Sequence, residues 1–295
     1  NEGMQFLRNE VNGSMFISES IAPLFPYQYA HSRRIACDAY TSFISNTKYT
    51  MNAVSLGWWI GGRLYQYNDP DMMVFDNGPT LDENESRLIN CAVTGLYLNG
   101  SLLTNAASVA QAQLCLTNAA INTVARVGQT FRPVDGPQGT GAGNIFVRQD
   151  GETWCLAVFN YTGNATNETV NLTSAGLPPE TFIATNLWDG TTSPATSTLS
   201  VSLAGDQAKL FRLAMSNPPQ PRFASVTPTG AGTFAFSGSN GIPGWGYSVV
   251  STMNPMLPVA QWQLVATNSF DSNGDFSFTN TWGSNPEAFY LLKLR

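Results

Sequence analysis

Near residue 131 the hydrophobic pattern of the chain changes period. Upstream, short apolar runs at 14–18, 33–38, 63–69 and 100–104 alternate with helical patterns at about 41–56, 83–98 and 106–126. Strands alternating with helices imply βα units and a parallel sheet. An opening helical segment, EGMQFLRNEV, meets a stop signal at Asn12-Gly13. Downstream the alternation has period two. NIFVRQDGETWCLAVFNYTG reads as two strands joined at Asp150-Gly151, a hairpin signal, and NETVNLT, TFIATNLWDG, TLSVSL and AKLFRLA continue the pattern. The expected organisation is α/β over 1–130, an antiparallel β-sandwich over 131–215, a proline-rich linker at 216–222 and a further all-β module over 223–295.

Composition removes several functions. The formal charge of −6 leaves no basic stripe to neutralise phosphates, which argues against nucleic acid. No run of about 18 apolar residues exists, so membrane insertion is not expected. Only 12% of residues are charged, and Asn, Ser, Thr and Gly carry the polarity, a balance common in secreted β-rich proteins. The expected location is secreted, periplasmic or cell-surface. Seven Asn-x-Ser/Thr sequons, starting at Asn12, Asn84, Asn99, Asn160, Asn164, Asn167 and Asn171, would carry glycans in a eukaryotic secreted host, but in a chain this rich in Asn, Ser and Thr many arise by chance and they identify no host. The chain opens at Asn1 with neither a signal peptide nor an initiator methionine, so an upstream segment is expected to have been removed. Cys37, Cys91, Cys115 and Cys155 allow three disulfide pairings or none. With His31 the only histidine and no CxxC, no metal or other cofactor is expected.

Three apolar runs end in carboxylates, where a parallel barrel places its chemistry. Glu19 follows SMFIS, Asp38 closes RRIACD, and Asp69 and Asp71 follow RLYQY. On an extended strand Arg34, Ala36 and Asp38 share one face, so Arg34 can orient the Asp38 carboxyl and bear on its proton affinity. A structural ion pair is the simpler reading of the same spacing. Glu19 precedes a loop of prolines and aromatics, suited either to a sugar-binding wall or to a capped helix start. Asn68 or Asp69 before Pro70 is by default an Asx turn.

Taken in order, these residues resemble the second half of α-galactosidase-like retaining glycoside hydrolases, families 27 and 36 and their relatives. SMFISES looks like strand five, SRRIACDAY like strand six and YQYNDPDMM like strand seven; ESRLINCAVTGLYLNGSLLTN looks like the following helix and strand eight. The resemblance covers residues 1 to about 215. It implies the last half of a (β/α)8 TIM barrel followed by an antiparallel β domain, and an oligosaccharide or glycoconjugate as substrate. It assigns Asp38 as the acid/base, Arg34 as a sugar-binding arginine, Asp71 and Met72 as pocket-lining residues, and Glu19 as the residue that reads a sugar hydroxyl. SESIAPLFP replaces the family's usual loop after strand five, where sugar identity is read.

The resemblance also implies a nucleophilic aspartate on strand four, which no residue here matches. The expected partner is therefore an amino-terminal half of the same barrel, from the same precursor or another chain, and the chain alone is expected to be inactive. A rival reading makes the chain a non-catalytic carbohydrate-binding or surface protein. Trp245, Trp262 and Trp282 of the last module would then stack on glycans, unless they fill its core.

Overall fold

The structure, a computed structural model, describes residues 2–20, 27–134, 141–230, 232–281 and 288–294. It divides into two compact units, residues 1–214 and 215–295.

The first unit opens with helix α1 (Glu2–Val11), which stops as expected. Asn12 and Gly13 adopt left-handed φ of 42° and 72°. A three-stranded sheet follows, of β1 (Ser18–Glu19), β2 (Ser32–Arg34) and β3 (Tyr67–Asp69) in that order. Both pairings are parallel. The strands are shorter than the apolar runs that produced them. Of 14–18 only Ser18 pairs, because the Ile17 N–H is diverted to Nδ1 of His31 at 3.0 Å.

Helix α3 (Leu81–Thr94) packs against β3, and helix α2 (Ile44–Gly57) packs against α3. Thr80 begins α3 with a capping box: its hydroxyl accepts the Glu83 N–H at 3.2 Å, and Glu83 Oε2 accepts the Thr80 N–H at 2.9 Å. Gly95, at φ 82°, ends the helix. Replacing Thr80 by alanine is expected to cost about 1 kcal/mol, read as a lower urea midpoint with unchanged slope. Every residue from Glu83 to Thr94 is buried, so α3 is the central helix of the unit.

Two expectations fail beyond it. The pattern at 106–126 forms two helices, α4 (Ala106–Leu116) and α5 (Ala119–Ala125), since the Asn118 side chain accepts the Ile121 N–H and starts a new helix. Residues 100–104 form no strand. The only pairing there is a parallel bridge between Met73 and Asn99. The Leu102 N–H donates to Asp76 Oδ2 at 2.7 Å, and Ser101 Oγ accepts the Phe75 N–H at 2.8 Å. Side chains thus take the places that ladder partners would hold, and Leu103 sits at φ 53°.

The sandwich comprises β4 (Arg132–Pro133), β5 (Ile145–Asp150), β6 (Thr153–Phe159), β7 (Thr166–Asn171), β8 (Phe182–Asn186), β9 (Thr192–Ala195), β10 (Thr198–Leu203) and β11 (Ala208–Met215). Six strands form one sheet in the order β4-β5-β6-β11-β8-β9, and β10 pairs antiparallel with β7. Gly151, at φ 63°, turns the β5–β6 hairpin. One core joins the helices to this sheet, uniting Leu88, Ile89 and Val93 with Phe146, Ala157 and Leu210.

Glu85 on α3 is 3% exposed. Burial, and secondarily the Asp82 charge, pushes its carboxyl from 4.5 to about 8. The folded state therefore holds the proton more tightly than the unfolded chain. This contribution to stability is fully present below about pH 4.5 and is lost as pH rises to about 8. Glu85→Gln is expected to flatten the fall of the thermal midpoint across that window; an unchanged slope in the variant would contradict this.

The second unit holds β12 (Arg222–Gly230), β13 (Thr233–Ser239), β14 (Gly246–Thr252), β15 (Gln263–Ser269), β16 (Phe276–Thr281) and β17 (Phe289–Leu294). They make two three-stranded antiparallel sheets, β12-β13-β16 and β15-β14-β17. Aromatic rings fill the unit; Phe236 stacks on Phe278 with centroids 4.7 Å apart. The Trp262 indole donates to the Leu257 carbonyl at 2.9 Å. Trp245 is half-buried, and Trp282 lies outside the described residues.

Candidate active site

The sheet register decides which side chains meet. Ser18 pairs with Ser32, and Arg34 with Asp69, so these four share one face while Glu19, Arg33 and Asn68 share the other. On the first face Ser32 Oγ donates to Ser18 Oγ at 2.7 Å, and Ser18 Oγ donates to Asp69 Oδ2 at 3.0 Å.

Asp69 then builds the turn that the sequence suggests. Its Oδ1 accepts the Asp71 N–H at 2.8 Å, an Asx turn closed over Pro70. Burial raises the Asp69 carboxyl above its ordinary range, against the opposing pull of the Asp71 N–H and the Ser18 hydroxyl. Asp71 is left-handed at φ 65°, a conformation costly for a residue with a Cβ and kept only where the surroundings impose it. Here they do. Asp71 Oδ2 accepts the Ala39 N–H at 2.5 Å, and Oδ1 lies 3.3 Å from Arg34 Nη1.

Arg34 is the bridge. Its other terminal nitrogen, Nη2, contacts Asp38 Oδ1 at 2.6 Å. The Asp71 side chain is 5% exposed and that of Asp38 55%. One carboxylate is therefore fixed inside the fold and the other reaches into solvent. Among the described residues, Asp38 Oδ2 is approached by the Tyr40 hydroxyl alone, at 3.4 Å. Arg34, Cys37, Asp38, Tyr40 and Tyr49 line an open cleft of about 610 Å³. All four cysteines are free, and Cys37 alone is exposed.

A residue absent from the sequence reading holds the turn from behind. Arg87 of α3, with no exposed surface, donates through Nη2 to the carbonyls of Pro70 at 2.7 Å and Met72 at 3.0 Å, and through Nη1 to Thr50 Oγ1 at 3.2 Å. Its signal is nonetheless in the sequence: Asn84, Arg87, Leu88 and Cys91 fall on one stripe of α3, so a charge stands in an otherwise buried row. Such a charge needs partners.

The structure thus brings Arg34, Asp38 and Asp71 together. Met72 follows Asp71 in the turn, but its thioether lies against Gly100, where an added Cβ would stand 2.3 Å from Sδ. Glu19 stands apart from this network. On the opposite face of the sheet its Oε2 accepts the Tyr65 hydroxyl at 3.1 Å, and burial together with that bond pushes the Tyr65 phenol up to about 12. Among the described residues no group of three or more His, Cys, Asp or Glu side chains is arranged to hold a metal.

A parallel βα layer continued by an antiparallel sandwich is a fold similar to that of solved glycoside hydrolase structures. Residues 145–213 match the family model described as the alpha galactosidase C-terminal beta sandwich domain. The fold is similar to a family 27 β-L-arabinopyranosidase from Geobacillus stearothermophilus, with a TM-score of 0.59 and 20% identity over 73% of this chain and 54% of that one. Alpha-galactosidase I from Mortierella vinacea gives a TM-score of 0.56 at 14% identity, over 73% of this chain and 64% of that one. The isomalto-dextranase of Arthrobacter globiformis T6, complexed with panose, gives 0.56 at 13% identity and covers 99% of this chain and 63% of that one. The chain spans about half the length of the arabinopyranosidase. No curated protein matches it.

Proposed function

We propose that the chain is the carboxyl-terminal portion of a secreted or cell-surface retaining glycoside hydrolase that removes terminal α-galactosyl or closely related sugars. The observation that carries this reading is the Arg34 guanidinium held between a buried Asp71 and an exposed Asp38. That division suits acid/base work. Asp38 Oδ1 is engaged by the cation, while Oδ2 faces the cleft, free to give a proton to the glycosidic oxygen and later to take one from water. Asp71 keeps Arg34 in place; the assignment of Asp71, Met72 and Glu19 to the sugar site rests on the family resemblance alone, since none of them lines the Asp38 cleft.

Retention needs a second carboxyl about 5–5.5 Å from the first, acting as nucleophile. In this reading it is supplied by further parallel strands that complete a barrel of which β1, β2 and β3 are part. Parallel sheets are stable with both faces covered, yet Phe16, beside β1, is 51% exposed. The test is turnover of aryl α-D-galactopyranoside and aryl β-L-arabinopyranoside by the full-length protein. Release of either aglycone supports the proposal; saturable sugar binding without any turnover would favour the non-catalytic reading.

A further inference from the structure

The segment after β2 carries one side chain that the proposed mechanism leaves unused. Tyr40 is 77% exposed, although Ala39 and Ser42 beside it are buried. The backbone is held on both sides of the tyrosine. The Ala39 N–H donates to Asp71 Oδ2 at 2.5 Å, Asn77 Nδ2 donates to the Tyr40 carbonyl at 3.3 Å, and the Ser42 N–H donates to the Val74 carbonyl at 3.1 Å. A large aromatic ring thus stands in solvent on a backbone fixed against residues 71–77. Burying so little of itself, the ring adds little to the stability of the fold.

Its place follows from the carboxylate next to it. Tyr40 lines the same cleft as Asp38, and its hydroxyl donates to Asp38 Oδ2 at 3.4 Å, the oxygen that Arg34 does not engage. A general acid comes within about 2.6–3.2 Å of the oxygen it protonates, so a glycosidic oxygen would approach that same Oδ2. Of the two groups on this oxygen, the retained sugar lies toward the barrel interior, where the nucleophile would stand, and the leaving group lies toward solvent. Tyr40 is on the solvent side. The apolar C–H face of a sugar, or an aryl ring, suits an exposed aromatic face.

We infer that Tyr40 is a specificity-determining contact for the leaving group, its ring stacking on the first ring that departs. The inference rests on the acid role proposed for Asp38.

The test compares Tyr40→Ala with the parent, both as full-length protein, on the fluoride, the 2,4-dinitrophenyl glycoside and a disaccharide of galactose or arabinopyranose. Fluoride presents no ring, and neither fluoride nor dinitrophenolate needs a proton to leave. Loss of a stacking contact should lower kcat/KM about three- to tenfold on the dinitrophenyl glycoside and the disaccharide, and less than about twofold on the fluoride. Tyr40→Phe keeps the ring and should stay within about twofold of the parent on the dinitrophenyl glycoside. A loss confined to the disaccharide would mean that Tyr40 acts only through Asp38. Equal losses on all three substrates would make Tyr40 structural, and no loss on any would mean that it touches no leaving group. Each of these results overturns the inference and leaves the role of Asp38 standing. That role is read separately with Asp38→Asn, which should spare the fluoride and the dinitrophenyl glycoside; equal losses on all three in that variant, or no turnover by the parent, would remove the acid role and the inference with it.

Discussion

Asp38→Asn should lower turnover of substrates with poor, sugar-type leaving groups by about 10²- to 10⁴-fold, while aryl glycosides with acidic phenols lose far less. The difference follows from the proposed role. An acidic phenol leaves without a proton, whereas a sugar oxygen needs one, which in the proposed mechanism comes from Asp38 Oδ2. The substitution keeps the side chain's shape and one oxygen for Arg34, so the fold should survive with its thermal midpoint nearly unchanged. The contact it weakens is half exposed, and exposed ion pairs contribute little. Undiminished turnover of both substrate types would remove Asp38 from the chemistry. An equal loss on both would make it a structural partner of Arg34.

Arg87→Met should act in the opposite way, through stability. The methionine keeps most of the apolar volume but strands the carbonyls of Pro70 and Met72, and it leaves the buried Asp69–Asp71 pair with one cation fewer. Removing one member of a buried charged network costs about 3–5 kcal/mol. Denaturant unfolding measures that cost directly. Because Arg87 supports the left-handed Asp71 backbone, any folded fraction should also show weakened sugar binding. A variant as stable as the parent would show that the turn is held by its own Asx hydrogen bond.

The expectation that Arg34 and Asp38 meet held for a reason the sequence did not carry. Four extended residues span about 13 Å, and the two side chains touch only because β2 ends at Arg34 and the chain turns before Asp38. The Asx turn was legible because Asn-Asp-Pro-Asp favours little else. Which aspartate does what was not legible. Asp69 forms the turn through its side chain and Asp71 reaches Arg34, a division set by the φ of Asp71. Glu19 shows the limit most clearly. Its place after an apolar run suggested the same cluster, but the β1–β2 register puts Ser18 on that face and Glu19 on the other. One residue of register reverses a side chain, and strands of two or three residues carry too little pattern to fix it. The missing strand at 100–104 and the break at Asn118 have a common cause. Side chains of Asp76, Ser101 and Asn118 capture backbone N–H groups, a competition that apolar periodicity does not record.

The retaining mechanism itself is most directly tested by following hydrolysis of an α-galactoside, or whichever glycoside the full-length protein turns over, by proton NMR and recording which anomer appears first. A double displacement delivers the sugar with the configuration of the substrate, followed by slow mutarotation, and this is the predicted result. First appearance of the opposite anomer would mean a single displacement with two carboxyls set farther apart, and would contradict the proposed role of Asp38 in a retaining pair.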